Sequence, residues 1–330
     1  EVNGIYFVEE IHIVLTVFSR VIDKHIEHIS VLCGDSDKLH FFCVIDYLLR
    51  LDKGSIALGV VIFISVIVCR RIFRFIVGRY GSGKSFMLQT MRQHLMDRGF
   101  VTADADLSPE RRLMGTKGQG LATYRELMRN MSVRTKPDGG ALPLILEKWI
   151  TNIRTEVVAS GTSPDDPFFD SAVEKKIYTE ISGLEDMVHG FDFARVINAY
   201  HKAFTAGNDE KASCAVRWLR GEYSTKTEAQ QDLGVNVIIT DDNWYDYIKL
   251  LTAFFVSAGY KGFVIMIDEL VNIMKIPHAV TRQYNYEKIL MMYNDVMQGK
   301  ASHLGIIMGG TPQCIEDTRR GIFSYAVSSI

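Results

Sequence analysis

Gly78-Arg79-Tyr80-Gly81-Ser82-Gly83-Lys84-Ser85 matches the pattern G-x-x-x-x-G-K-[ST], and the residues on either side decide what it means. The glycines let successive backbone N–H groups curl around phosphate oxygens. Lys84 then reaches the β- and γ-phosphates, and the Ser85 hydroxyl can bind Mg²⁺. Arg74-Phe75-Ile76-Val77 precedes the loop as a short apolar strand. After it Phe86, Met87, Met91, Leu95 and Met96 recur at helical spacing, and Gly99 stands where a helix would end. Strand, glycine-rich loop and helix come in the order that points a helix N-terminus at phosphates. The competing reading is a chance glycine turn at a helix start. The expected nucleotide contacts are Gly78, Arg79, Tyr80, Gly81, Ser82, Gly83, Lys84, Ser85 and the following Phe86.

Working outward, Lys261-Gly262-Phe263-Val264-Ile265-Met266-Ile267-Asp268-Glu269 is an apolar run of strand length that closes on two carboxylates. A strand apolar on both faces belongs inside a doubly covered parallel sheet. At its carboxyl end Asp268 is placed to hold Mg²⁺ together with Ser85. Glu269 is placed to polarise a water against the γ-phosphate. A buried strand ending in a surface Asp-Glu pair is the bland alternative. A further apolar strand, Leu304 to Gly309, runs into Gly310-Thr311-Pro312-Gln313, and Arg319 and Arg320 follow. The arginines can neutralise transition-state charge in cis or in trans; a solvated basic pair fits the spacing equally.

Five segments together carry a resemblance. They are F-R-F-I-V-G-R-Y-G-S-G-K-S-F from Phe73, R-W-L-R-G-E-Y over 217–223, N-W-Y-D-Y over 243–247, I-D-E-L-V-N-I over 267–273 and G-G-T-P-Q-C-I-E-D-T-R-R-G over 309–321. They resemble the BREX-system ATP-binding proteins, the BrxC/BrxD-like P-loop ATPases of bacterial defence islands, from about Phe73 to Tyr325. The resemblance implies an AAA+/STAND-type ATPase with ATP and Mg²⁺ as cofactors. It also implies helicases, methyltransferases or nucleases as partners. In ATPases of that type the strand after the acidic one ends in a polar residue that senses the γ-phosphate. Thr311 is in position for it, with Gln313 as substitute. The resemblance further implies a last strand and a helical lid beyond Ile330, and the chain opens on Glu1 rather than Met. A truncated piece of a longer protein is the expectation.

The fold class expected is α/β, a P-loop NTPase of three layers α/β/α with a central parallel sheet. Lys84 and Asp268 stand further apart than a compact core needs, so a helical insertion is expected over about 110–250. Candidate helices there are Leu121–Met131, Leu142–Val158, Ser171–Leu184 and Phe193–Ala206. A strand is expected at Val235–Ile239 and a helix at Trp244–Ala258. Between the P-loop helix and that insertion, Phe100–Ala105 reads as a strand next to the nucleotide strand, so Asp104 or Asp106 at its end could approach the site. Capping a helix that starts at Ser108-Pro109-Glu110 is the simpler role. Residues 73–330 form the ATPase domain in this reading, and 1–72 an unassigned extension. The extension holds loose helical periodicity over Ile11–Ile29 and Phe41–Leu51 and an apolar run over Ile56–Cys69 before Arg70 and Arg71. That run is shorter than the about 20 residues a membrane helix needs, so an N-terminal anchor is the minor reading.

Composition excludes several classes. A formal net charge of −2 argues against coating nucleic acid by charge alone, while leaving local DNA contacts open. The five cysteines (33, 43, 69, 214, 314) have no zinc spacing, and an odd, scattered set reads as reduced thiols in a cytoplasm. His25 and His28 lack a third metal ligand. Arg111, Arg112, Lys117, Arg125, Arg129, Arg134 and Lys136 face only Glu126 in sequence, which suits a solvated helix face or a strip for phosphates. Arg217-Trp218-Leu219-Arg220-Gly221-Glu222-Tyr223 suits stacking on bases or a packing hinge. A kinase on the same loop needs an acceptor site of which no signature appears. A nucleotide-gated scaffold without hydrolysis is the non-enzymatic alternative. Homo-oligomerisation through the arginine pair stays open.

Overall fold

A computed structural model describes Tyr6, Phe7 and residues 72–322. The expectations for Ile11–Ile29, Phe41–Leu51 and the Ile56–Cys69 run, for His25 and His28, and for Cys33, Cys43 and Cys69 fall outside those residues. The chain divides at His94 and Met266. Leu95–Ile265 make one compact unit, and the described residues on either side make the other.

The strands are β1 (Tyr6–Phe7), β2 (Ile72–Val77), β3 (Val101–Asp106), β4 (Phe263–Asp268) and β5 (Leu304–Gly310). Their order is β1-β2-β5-β4-β3. β2, β5, β4 and β3 make a parallel four-strand sheet flanked by helices, and β1 pairs antiparallel on β2. The division of the chain falls within β4. Every residue of β4 and β5 is buried, which accounts for a sequence that is apolar throughout except for Asp268 at the end of β4.

In the unit that carries the P-loop, β2 and β5 run parallel from Ile72↔Gly305 to Val77↔Gly310. The ladder continues one step, with Gly78 N donating to Gly310 O at 3.1 Å. Past the end of β4, Leu270 N donates to Gly309 O at 3.0 Å. Three carboxyl-terminal strand ends are thereby drawn to one edge, where ligands of parallel sheets bind. Helix α1 (Lys84–Asp97) buries Met87, Leu88, Met91, Leu95 and Met96, the stripe the spacing predicts with one change. Phe86 lies 64% exposed, outside the stripe, while Leu88 occupies the buried face.

The other unit holds β3, the first half of β4 and seven helices among the described residues. These are α2 (Gln119–Arg129), α3 (Leu142–Ala159), α4 (Phe169–Glu185), α5 (Gly190–Thr205), α6 (Asp209–Leu219), α7 (Lys226–Leu233) and α8 (Trp244–Ser257). Here β3 and β4 start together, Lys261 N donating to Gly99 O and Val101 N to Gly262 O, both at 3.0 Å. Aromatic rings fill the helical core. Trp149 and Phe254 meet edge to face at 5.1 Å, Trp218 and Tyr247 at 5.3 Å, and Phe255 and Phe263 at 5.2 Å. Each such pair is worth about 0.5–1.5 kcal/mol beyond its buried area.

Three local expectations are corrected. No helix starts at Ser108: its Oγ accepts the Glu110 and Arg111 N–H groups at 3.2 and 3.1 Å, but the chain then turns. Arg112 N is taken by Gln119 O, and α2 begins only at Gln119. Asp104 therefore caps nothing there; it meets Asn130, the C-cap of α2, through Asn130 Nδ2 at 3.4 Å, and β3 lies beside β4 rather than beside the nucleotide strand β2. Second, Val235–Ile239 is not a strand. Side chains take its carbonyls, Trp218 Nε1 reaching Val237 O at 2.8 Å and Asn243 Nδ2 reaching Ile238 O at 3.2 Å. Third, α6 and α7 were not expected. Their signals were the N-caps Asn208, which accepts Lys211 N, and Thr225, which accepts Glu228 N. Thr225 with Glu228 three residues on is the sequence pattern of a capping box.

The Arg217–Tyr223 segment resolves as packing. Trp218 and Tyr223 are 1% and 2% exposed, so neither ring has a free face for a base. Tyr124 Oη donates to Leu219 O and Arg125 Nε to Gly221 O, both at 2.6 Å, and Tyr223 Oη donates to Asp232 Oδ2 at 2.6 Å. The basic strip is smaller than its sequence suggests. Arg111 and Arg129 both pair with Glu126, Arg125 is spent on Gly221, and Lys117, Arg134 and Lys136 are exposed.

One distant carboxylate holds the start of α2. Asp241 Oδ2 accepts Gly118 N and Oδ1 accepts Leu121 N, each at 2.7 Å. Two charge-assisted bonds at a helix N-terminus oppose the macrodipole favourably. Asp241→Ala is expected to destabilise this unit by about 2 kcal/mol, read as a lower urea midpoint at unchanged slope. An unchanged midpoint would show that water replaces the carboxylate without cost.

Candidate functional site

The loop after β2 turns through Gly81 (φ 76°) and Gly83 (φ 86°), left-handed conformations that a side chain would strain. Ser82 N donates to Arg79 O at 3.1 Å, and Met87 N to Gly83 O at 2.9 Å starts α1. Lys84 folds its ammonium back over the loop, with Nζ 3.0 Å from Gly78 O and 3.2 Å from Arg79 O. Ser85 stands one residue on and exposed.

Asp268 ends β4 at 8% exposure. Its Oδ2 lies 3.4 Å from Ser85 Oγ, and its Oδ1 accepts the Glu269 N–H at 2.7 Å. Glycine at 309 makes room for this carboxylate, since a Cβ there would come within 2.2 Å of Asp268 Oδ1. Glu269 sits at φ 61°, a conformation uncommon outside glycine, asparagine and aspartate. Such strain gathers at functional sites. Its Oε2 is 3.4 Å from the Tyr80 hydroxyl.

Tyr80, Lys84, Asp268, Glu269, Val271, Gly310 and Thr311 line one cleft. Thr311 is 6% exposed and N-caps α11 (Pro312–Glu316), while its Oγ1 is buried without a hydrogen-bond partner in the structure. Gln313 is exposed and does not line the cleft. Cys314 closes the turn beneath, its Sγ–H donating to Thr311 O at 2.9 Å. Burial pushes this thiol up to about 11, so it stays protonated at neutral pH. Arg319 and Arg320 are exposed and lie outside the cleft lining. Their N–H groups both donate to Asp317 Oδ1, at 2.9 and 2.7 Å, and hold the Asp317 carboxyl below its usual range. Beyond the short helix α9 (Val271–Met274), on α10 (Ala279–Met297), the Tyr286 hydroxyl donates to Arg320 O.

The fold edge thus assembles Lys84, Ser85, Asp268, Glu269 and Thr311, and leaves the arginine pair outside. Sequence reasoning missed the close approach of Gly309 to Asp268 and the contact of Tyr80 with Glu269. The double glycine ending an otherwise bulky strand was the signal for the first. The second left none, because it joins residues far apart in sequence.

The family model for the BREX system ATP-binding protein BrxC/D matches residues 65–328. The chain belongs to this family. No curated protein and no solved structure matches it. The match takes in the P-loop, the acidic strand and the Thr311 strand of this BREX ATP-binding protein, so every residue of the cleft lies within it. Among the described residues no helix is long and apolar enough to cross a membrane, and Cys214 and Cys314 are free thiols.

Proposed function

We propose that this BREX ATP-binding protein is a Mg²⁺-dependent, AAA+/STAND-type ATPase acting in the cytoplasm. Its nucleotide state would set its assembly with helicase, methyltransferase or nuclease partners that process nucleic acid in anti-phage defence. Residues 73–330 are its ATPase domain in this reading. In the same reading α2–α8 would belong to the helical insertion expected over about 110–250.

The observation that carries the reading is the Ser85 Oγ to Asp268 Oδ2 approach of 3.4 Å, beside Lys84 and Glu269 in one cleft. That spacing is longer than an O–H···O bond of about 2.5–3.0 Å. Both atoms are hard oxygens, and Mg²⁺ takes one or two such protein ligands together with substrate phosphates. The residues fit the ion. When bound, it would neutralise charge on the β- and γ-phosphate oxygens.

The chain's own groups do the rest. The N–H groups from Gly78 to Phe86 and the Lys84 ammonium would hold the triphosphate, replacing the contacts Lys84 makes to loop carbonyls. Asp268, fixed by the Glu269 N–H, keeps its Oδ2 toward Ser85. Glu269 would take a proton from water aligned with the γ-phosphate, and the Thr311 hydroxyl would report that phosphate. Positioning and charge stabilisation supply most of the rate in such sites. Arg319 and Arg320, exposed on a turn fixed by Asp317 and Tyr286, suit delivery to a neighbouring copy's nucleotide.

Turnover of ATP by the full chain, with and without duplex DNA, is the deciding measurement. Phosphate release is expected with Mg²⁺, falling to background when EDTA removes it. ATP bound tightly with no release under any of these conditions would overturn hydrolysis in favour of a nucleotide-gated scaffold.

A further inference from the structure

Glu269 is fixed by its backbone but not by its own side-chain packing. The left-handed φ and the 2.7 Å bond from its N–H to Asp268 Oδ1 set where the Cβ points. They leave the side-chain torsions free, and the side chain is only half-buried. The group that meets the carboxylate comes from the P-loop. Tyr80 Oη lies 3.4 Å from Glu269 Oε2, and the Lys84 ammonium is 5.5 Å from the centroid of the same ring.

Packing does not explain the ring, since Tyr80 is 68% exposed. Nor does phosphate binding, which in this loop uses backbone N–H groups and a lysine. What distinguishes the side chain is a hydroxyl set against the acid and a π face set near the cation. The charge on Glu269 is the main reason the Tyr80 phenol is raised above its usual range, so at neutral pH it is a donor.

We propose that Tyr80 is a positioning residue for hydrolysis, its O–H donating to Glu269 and aiming that carboxylate into the cleft; this rests on the ATPase reading above. The contact couples the loop that grips phosphates to the acid that activates water, so the acid is aimed only when the loop is in place. At 3.4 Å it is longer than a formed O–H···O bond, and catalytic hydrogen bonds of this kind tighten in the substrate complex.

Tyr80→Phe keeps the ring and removes only the donor. In the full chain, with Mg·ATP, it is expected to lower kcat about tenfold. Affinity for a fluorescent ATP analogue should be unchanged. The discriminating readout is the double variant: Tyr80→Phe should cost nothing further in a Glu269→Gln background, because its effect runs through that carboxylate. Wild-type kcat in Tyr80→Phe would overturn the proposal, as would an equal proportional loss in the Glu269→Gln background. Either result, with wild-type turnover intact and Glu269→Gln impaired, leaves the ATPase reading standing. A wild type without turnover removes both.

Discussion

Lys84→Ala is expected to weaken ATP binding about 100-fold or more, and to take hydrolysis with it. The ammonium is already bent over the loop, 3.0 and 3.2 Å from two of its carbonyls, and Lys84 lines the cleft together with Asp268 and Glu269. A charge-assisted bond to phosphate is worth about 1.5–3 kcal/mol each, and the lysine can make more than one. Alanine also leaves two acidic side chains facing the triphosphate with no cation from the start of α1. Stability should move by no more than about 0.5 kcal/mol, because the side chain is half-exposed and alanine suits a helix. Calorimetric titration of both proteins with ATP, beside their thermal melts, is the measurement. Equal affinity in both would sink the assignment of the loop.

Glu269→Gln is expected to leave ATP bound and to slow its hydrolysis by about 10²–10⁴-fold, the usual contribution of a general base. Glutamine keeps the shape of the side chain and can still accept from Tyr80, but it cannot take a proton. It pays the same backbone strain at φ 61°, so the folded state should be no less stable. A single-turnover assay with ATP preloaded separates the chemical step from binding. Turnover at the wild-type rate would make Glu269 a surface acid at the end of a buried strand.

The two experiments probe residues whose roles differ in how they could be read. The role proposed for Lys84 can be read from eight consecutive residues, because it rests on local chemistry: backbone N–H groups, two glycines at positive φ and a cation at a helix start. Glu269 needs a second element. An apolar strand ending in Asp-Glu acquires meaning only beside a P-loop, and the β2–β5 ladder with the Leu270–Gly309 bond past β4 brings the two together. Within the helical unit the long amphipathic helices were legible from their periodicity. Helices α6 and α7 and the irregular Val235–Ile239 segment were not. Short apolar runs read alike as strand or loop until their carbonyl partners are known, and here those partners, Trp218 and Asn243, are side chains.

The amino-acid sequence by itself determined the family, the parallel α/β class, the apolar strands at its centre and the glycine-rich loop on which the nucleotide proposal rests. These follow from local chemistry and from patterns with a period of a few residues. Only the tertiary structure decided that Thr311 rather than Gln313 enters the cleft, that Arg319 and Arg320 stay outside it, and that Trp218 and Tyr223 are core rather than a base-stacking surface. It alone set Tyr80 against Glu269 and fitted the Asp268 carboxylate into the space a Cβ at Gly309 would fill. Each of these turns on which atoms lie within a few ångströms across long stretches of chain, and that distance is set by strand register and packing, not by sequence spacing.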